Sequence, residues 1–385
     1  VVKNIALSDD LSGVLVTARM DKNAASILHP DNQFWIVSPR VSLSGVSGLG
    51  TILSGPYINM APGSEPEMSE KFFALEAPPV TPAGTPGLHV TLNSQSEFAY
   101  KKGDHVITCL SAFCGHCEPC ITGRMSLCAE PELQRDEDGP SRLAKNDEKI
   151  SQFLNLSSFA EYMLVHEHTV AKIRDDMPMD IAALIGCGVT TGVGAVIHTA
   201  KVEPGSTVAV IGCGGVGLSA INGAALAGAA RIIAIDMVPS KLELARKFGA
   251  TDVINASEVD PVEAVREMTK GGVHYSFEAI GLAKTAQQSF KMLGMGGTAT
   301  IIGMIPVGTM VELHGPEFLM ERKMQGSNMG SNRFRVDMPR FVDLYLQGRL
   351  HLDELISRRI KLEDVNDGLA ALETGEVARS VIMFD

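Results

Sequence analysis

The chain has 385 residues, 45% of them hydrophobic and 5% aromatic, which is enough apolar material for two or three cored domains and excludes a chain disordered as a whole. A formal charge of -12 excludes a general nucleic-acid or anionic-membrane surface, since either partner needs a basic face to displace counterions; small molecules are the expected partners. No apolar run is read as reaching the roughly 18 to 20 residues that span a bilayer, and the start, VVKNIALSDDLSG, lacks the basic and apolar regions of a leader, so a cytoplasmic protein is expected.

In chain order, GVLVTARM and NQFWIVSPRVSL alternate with the period of strands, and LSGVSGLGTILSG reads as a glycine-punctuated loop. Four prolines from Pro78 to Pro86 make a stiff, extended connector. Residues 1–102 are thus expected as a β-rich module with a linker at 78–86. Cys114, Cys117, Cys120 and Cys128 then fall together in SAFCGHCEPCITGRMSLC. The two-residue gaps let three thiolates converge from one turn, and the longer gap brings the fourth back to close a tetrahedron around zinc. Such a site keeps no position for water, so it stabilises a fold and does not activate a substrate. Disulfides are the competing reading, disfavoured where thiols stay reduced.

The charged, aperiodic AEPELQRDEDGPSRLAKNDEKISQ is expected as an exposed loop, and QFLNLSSFAEYMLV after it as a strand pair. IAALIGCGVTTGVGAVIHTA, which carries Cys187, leads into the first helix of a nucleotide-binding half. STVAVIGCGGVGLSAINGAALAGAARIIAID reads as one βαβ unit: strand TVAVI, a glycine turn, helix LSAINGAALAGA and strand RIIAID. Gly212 permits the turn, Gly214 lets backbone approach a pyrophosphate, and Gly217 lets the helix pack on the strand, with Gly215 and Val216 between them at the helix N-terminus. Asp236 follows nineteen positions after Gly217. It can accept from both ribose hydroxyls and repels a 2′-phosphate, which favours NAD over NADP. A glycine turn of some other α/β fold is the alternative. Later strands are HYSFEAI, TATIIGMI and the terminal SVIMF, while FVDLYLQG and VNDGLAALETG read as amphipathic surface helices.

From Gly103 onward the chain resembles the zinc-dependent medium-chain alcohol dehydrogenases. The residues that carry the resemblance are GDHVITCLSAFCGHCEPC with Cys128, IGCGVTTGVGA, VAVIGCGGVGL, Asp236 with Lys241, and the terminal ARSVIMF. The resemblance implies a structural zinc lobe on the four clustered cysteines, Cys187 as a ligand of a catalytic zinc, and Thr191 beside the nicotinamide. It also implies Lys241 at the adenosine ribose, Arg379 at the pyrophosphate, and oxidation of an alcohol by hydride transfer to NAD. The expected fold is α/β: a Rossmann doubly wound parallel sheet (189–328) beside an incomplete GroES-like β-barrel domain (103–188 and 329–385).

The chain departs from that family at its start. The family's first two catalytic ligands are an early Cys and the His of a Gly-His-Glu segment. Here no cysteine precedes Cys109, and neither His29 nor His89 has the expected neighbours. Cys187 reads as a ligand without partners, or as a small core thiol. FWIVSPRVSLSGVSGLGTILSG resembles instead the mammalian cell entry (MCE) domains of the paraquat-inducible protein B type, and GLHVTLNSQSEFAYKKGD resembles the start of a second such domain. A fusion joined near residues 100–107 is expected. Three readings stay open: an impaired dehydrogenase, an NAD-binding scaffold without catalysis, and an MCE-type envelope lipid component. TATIIGMIPVGTMVEL is the expected sheet edge through which a homodimer forms.

Overall fold

The computed structural model describes residues 100–130, 143–146, 148–150, 153, 156, 159–373 and 378–384, together with the backbone of strands between Val2 and Asn93. The chain divides into two compact units, Val1–Thr85 and Pro86–Asp385. In the first, Val2–Leu7 pairs antiparallel with Val14–Ala18. Gln33–Val37 lies between Tyr57–Ala61 and Ala74–Leu75. The expected glycine loop is not wholly irregular: Gly45–Ser47 pairs with Arg40–Ser42 as a short hairpin. The rest of that segment, His29 and the linker 78–86 lie outside the described residues.

In the second unit the core is a six-stranded, all-parallel sheet. Its strands are β1 (Thr207–Ile211), β2 (Arg231–Asp236), β3 (Asp252–Asn255), β4 (Val273–Glu278), β5 (Leu293–Ile301) and β6 (Lys323–Gly326), in the order β3-β2-β1-β4-β5-β6. This is the doubly wound Rossmann arrangement, in which the strand order reverses at β1. Parallel sheets need cover on both faces, and TVAVI and RIIAID are accordingly continuous apolar runs. The cover comes from α1 (Gly215–Leu226), α2 (Pro239–Lys247), α3 (Pro261–Thr269) and α4 (Ala283–Lys291). Asp260 caps α3 by accepting from the N–H groups of Val262 and Glu263.

A long helix, Met179–Ala200, packs across α1 at small residues: a Cβ on Gly192 would stand 2.4 Å from the Val216 carbonyl oxygen. Two of its stretches, Ile185–Val189 and Ala195–Ala200, widen into π-helical turns, and Cys187 sits in the first. At 22 residues this helix is long and apolar enough to cross a membrane, which corrects the expectation that no such stretch exists; most of it is buried in the core.

The GroES-like part is represented by two small pairings. Val106–Thr108 runs antiparallel to Val170–Lys172, and Tyr162–His166 runs parallel to His89–Asn93. The second pairing brings a strand ahead of Gly103, where the sequence resemblance to the dehydrogenases begins, into this part of the molecule. The charged loop holds a hairpin, Leu143–Lys145 with Glu148–Ile150, whose turn places Asn146 at φ 48°, a conformation asparagine tolerates. Of the strand pair expected before His166, the described residues include one strand, Tyr162–His166; ahead of it the Phe153 carbonyl accepts from Leu156 N–H at 3.0 Å.

The sheet edge also differs from expectation. β6 forms it, while residues 302–314 leave the ladder. Pro306 lacks a donor and its carbonyl closes a turn to Thr309 N–H at 3.1 Å. The terminal strand Arg379–Ile382 pairs with Ile356–Ile360 outside the nucleotide sheet. Helix α5 (Phe334–Leu346) buries Phe334, Met338, Phe341 and Val342 on one face, as its period predicts; α6 (Val365–Glu373) is mostly exposed.

Candidate nucleotide site and metal centre

The crevice at the carboxyl ends of β1 and β4 is where an open doubly wound sheet binds its ligand. Gly212 turns the chain there at φ +95°, and a Cβ on Gly217 would stand 1.7 Å from the Gly212 carbonyl oxygen, so α1 approaches β1 closely only with glycine. Gly214 begins α1 without a side-chain cap. The N–H groups of Gly215, Val216 and Gly217 then face the position where a pyrophosphate charge is stabilised. Arg379 reaches this point from the terminal strand, its guanidinium carbon 2.5 Å from where a Gly215 Cβ would be. Burial lowers the Arg379 pKa from its ordinary value, and the nearby Cys187 sulfur opposes that shift.

Asp236 ends β2. Its Oδ2 accepts from Cys213 N–H at 2.8 Å, and its Oδ1 from the N–H groups of Met237 at 2.8 Å and Val238 at 3.0 Å. A carboxylate offers about four lone-pair sites, so the carboxylate is fixed in direction and keeps room for about one ribose hydroxyl rather than two. Beside it a cavity of about 270 Å³ is lined by Cys213, Ser240, Lys241, Lys247, Ser357 and Ala378 among others. Lys241 therefore shares this cavity with Cys213, the residue between Gly212 and Gly214.

The long helix supplies the other wall. Thr191, buried, donates to the Met329 sulfur at 3.5 Å, and Met329 begins the turn after β6. Cys187 is exposed. The two remaining thiols are not: burial pushes Cys109 up to about 11 and Cys213 up to about 12. Among the described residues no set of three metal donors includes Cys187. His105 is a further histidine ahead of the lobe that the sequence reading passed over. It is partly buried, and among the described residues its Nδ1 has no hydrogen-bond partner and it belongs to no such set.

The cysteine lobe is assembled. The sulfurs of Cys114, Cys117, Cys120 and Cys128 all lie within 4.8 Å of one another. Cys114 and Cys120 are 3.8 Å apart, and so are Cys117 and Cys128. Zinc–sulfur bonds of about 2.3 Å require a tetrahedral edge of about 3.8 Å, so the donor set fits zinc. Burial opposes ionisation of Cys114, but the N–H groups of His116 and Cys117 and the neighbouring thiols bring it down to about 6. Sequence reasoning missed Ser111, Ser126, Asn328 and Asn332, which tie this lobe to the turn after β6; the two asparagines within SNMGSN were the only signal.

A dinucleotide crevice and a closed thiolate lobe in one chain define a zinc-containing, dinucleotide-dependent oxidoreductase class. Comparison with known proteins narrows it. Residues 215–346 match the zinc-binding dehydrogenase profile, and residues 79–175 match the alcohol dehydrogenase GroES-like domain. The chain is 37% identical over 298 residues to alcohol dehydrogenase class-3 of Cereibacter sphaeroides, covering 74% of this chain and 79% of that protein. It is 38% identical over 288 residues to a probable S-(hydroxymethyl)glutathione dehydrogenase of Schizosaccharomyces pombe, covering 73% and 76%. The crystal structure of an alcohol dehydrogenase zinc-binding domain protein from Burkholderia ambifaria superposes with a TM-score of 0.71 at 36% identity, over 75% of this chain and 79% of that one. The chain belongs to the zinc-dependent medium-chain alcohol dehydrogenase family, and zinc and a nicotinamide dinucleotide are its cofactors.

Proposed function

We propose that this chain binds NAD and one zinc, and that its alcohol dehydrogenase activity is impaired at the hydride-transfer centre. The observation that carries the reading is Cys187, exposed and without a set of companion donors among the described residues, in a sequence with no cysteine before Cys109. A bound catalytic zinc supplies Lewis-acid polarisation of the alcohol oxygen. The chain's own residues have separate tasks. Gly212, Gly214, Gly215, Val216 and Gly217 receive the pyrophosphate with Arg379, Asp236 and Lys241 hold the adenosine ribose, and Thr191 faces the nicotinamide. The Asp236 carboxylate makes NAD the preferred dinucleotide over NADP.

The same reading divides the chain at 1–102, 103–188 with 329–385, and 189–328. On the strength of FWIVSPRVSLSGVSGLGTILSG, the stretch ahead of residue 79 is an MCE-type fragment; the GroES-like match starts at 79, earlier than the junction expected near 100–107. The chain pairs as a homodimer through the segment beyond β5, where Met304, Val307 and Met310 are exposed. The MCE-type lipid-transport reading ranks behind these, and phospholipid copurifying with the chain would revive it.

The test is a fluorescence titration with NADH and NADPH, followed by turnover assays on primary alcohols and on the substrate named for its relatives, S-(hydroxymethyl)glutathione. NADH binds more tightly than NADPH. Polarisation by zinc contributes several kcal/mol, so kcat/KM falls at least about a hundredfold below that of a relative with a complete ligand set. Turnover equal to such a relative overturns the impairment.

A further inference from the structure

Three consecutive residues after β6, Met329, Gly330 and Ser331, have φ of 49°, 68° and 48°. Two of them carry a Cβ, and a left-handed backbone of that kind persists only where its surroundings over-determine it. One set of restraints comes from the long helix. A Cβ on Gly330 would stand 2.3 Å from the Thr190 carbonyl oxygen, Thr191 donates to the Met329 sulfur, and the Ser331 and Thr199 hydroxyls are 2.8 Å apart.

The other set comes from the cysteine lobe. Asn328 Nδ2 donates to the Ser126 carbonyl at 2.9 Å, two residues before Cys128. Asn332 Nδ2 donates to Ser111 Oγ at 2.9 Å, three residues before Cys114, and to the Met329 carbonyl at 2.8 Å. The asparagines on either side of the turn therefore grip the two ends of the lobe. Ser126 stands in a single 3-10 turn, Met125–Leu127, whose following residue is a ligand. Within the lobe the turn is closed by short-range bonds, Leu127 N–H to the Arg124 carbonyl at 2.9 Å and Cys128 N–H to the Met125 carbonyl at 3.0 Å, and a metal on Cys128 would tie it to the other three thiolates.

We propose that metal in the cysteine lobe positions the Met329–Ser331 turn, and through it the nicotinamide half of the dinucleotide, with Asn328 and Asn332 as the positioning residues. The proposal rests on the nucleotide reading above and extends the lobe's role from holding the fold to shaping the crevice. It separates the two halves of the cofactor. The adenosine half meets Asp236 and Lys241, which contact neither asparagine, so only ligands with a nicotinamide ring sense the lobe.

The experiment compares NADH and ADP-ribose binding, by fluorescence and calorimetry, in the full chain, in Asn328→Ala, and in the full chain stripped of zinc by a chelator. Asn328 is exposed, so Asn328→Ala serves if the stripped chain unfolds. The expected result for Asn328→Ala is zinc content unchanged, an NADH Kd raised roughly five- to tenfold, the worth of about one hydrogen bond, and an unchanged ADP-ribose Kd. The stripped chain shows the same split. NADH affinity that stays at the wild-type value in the variant, or NADH and ADP-ribose affinities that fall together, overturns the coupling. A wild-type chain that binds neither ligand overturns the nucleotide reading itself, and the coupling with it.

Discussion

At the scale of single residues, the seven cysteines divide into three chemical kinds. Four form the lobe, Cys109 and Cys213 are buried with raised pKa values near 11 and 12, and Cys187 alone outside the lobe is exposed. Reactivity follows the thiolate and its access. Iodoacetamide at pH 8 is therefore expected to alkylate Cys187 in the zinc-loaded chain, and peptide mass spectrometry reads the site; labelling of Cys109 or Cys213 at a comparable rate contradicts the burial. Gly217 makes the sharpest steric demand. With its Cβ position 1.7 Å from the Gly212 carbonyl, Gly217→Ala must push α1 away from β1. The expected cost is about 1–3 kcal/mol of stability, with NADH affinity lost by at least about tenfold, and a melt with a parallel titration checks both. Both features were legible in the sequence, because glycine spacing and cysteine spacing map directly onto local geometry. Asn328 and Asn332 were not, since a side-chain bond to a segment some two hundred residues away leaves no local pattern.

At the scale of elements, α5 shows how a buried charge is retained. Asp337 is 1% exposed on its inner face. Burial acts to raise its pKa, but His198, with Nε2 3.2 Å away, and the Arg333 N–H, which it accepts at 2.7 Å, outweigh burial and hold it below the usual range. A carboxylate with a depressed folded pKa contributes stability above its unfolded value and loses it as pH falls through the folded one. Asp337→Asn is thus expected to cost about 1–3 kcal/mol at pH 7, and that deficit shrinks once pH drops below the unfolded carboxylate value of about 3.9. Urea melts at pH 7 and pH 3 measure it; an equal deficit at both contradicts an ionised Asp337. The helical period of FVDLYLQG announced α5, but an acidic residue on its buried face breaks the binary pattern, and only the packed long helix explains it. The edge strand was misplaced for a related reason. TATIIGMI continues into apolar residues, yet the Pro306 turn ends the ladder and KMQG, a weak strand by composition, takes the edge through pairing with β5.

At the scale of the whole molecule, the Rossmann sheet was readable because each βαβ unit is local in sequence, whereas the small barrel pairings join residues far apart. The parallel pairing of His89–Asn93 with Tyr162–His166 is such a case, joining strands about seventy residues apart within the stretch that matches the GroES-like domain. The exposed apolar side chains Met304, Val307, Met310 and Leu319 motivate the expectation that sedimentation will give twice the chain mass, and a monomer at micromolar concentration contradicts the dimer. The proposed function gives the chain one complete metal lobe and no complete catalytic zinc site. Elemental mass spectrometry of the purified chain tests it most directly. One zinc per chain is predicted, held by Cys114, Cys117, Cys120 and Cys128; two would mean that a second site forms around Cys187 and would contradict the account.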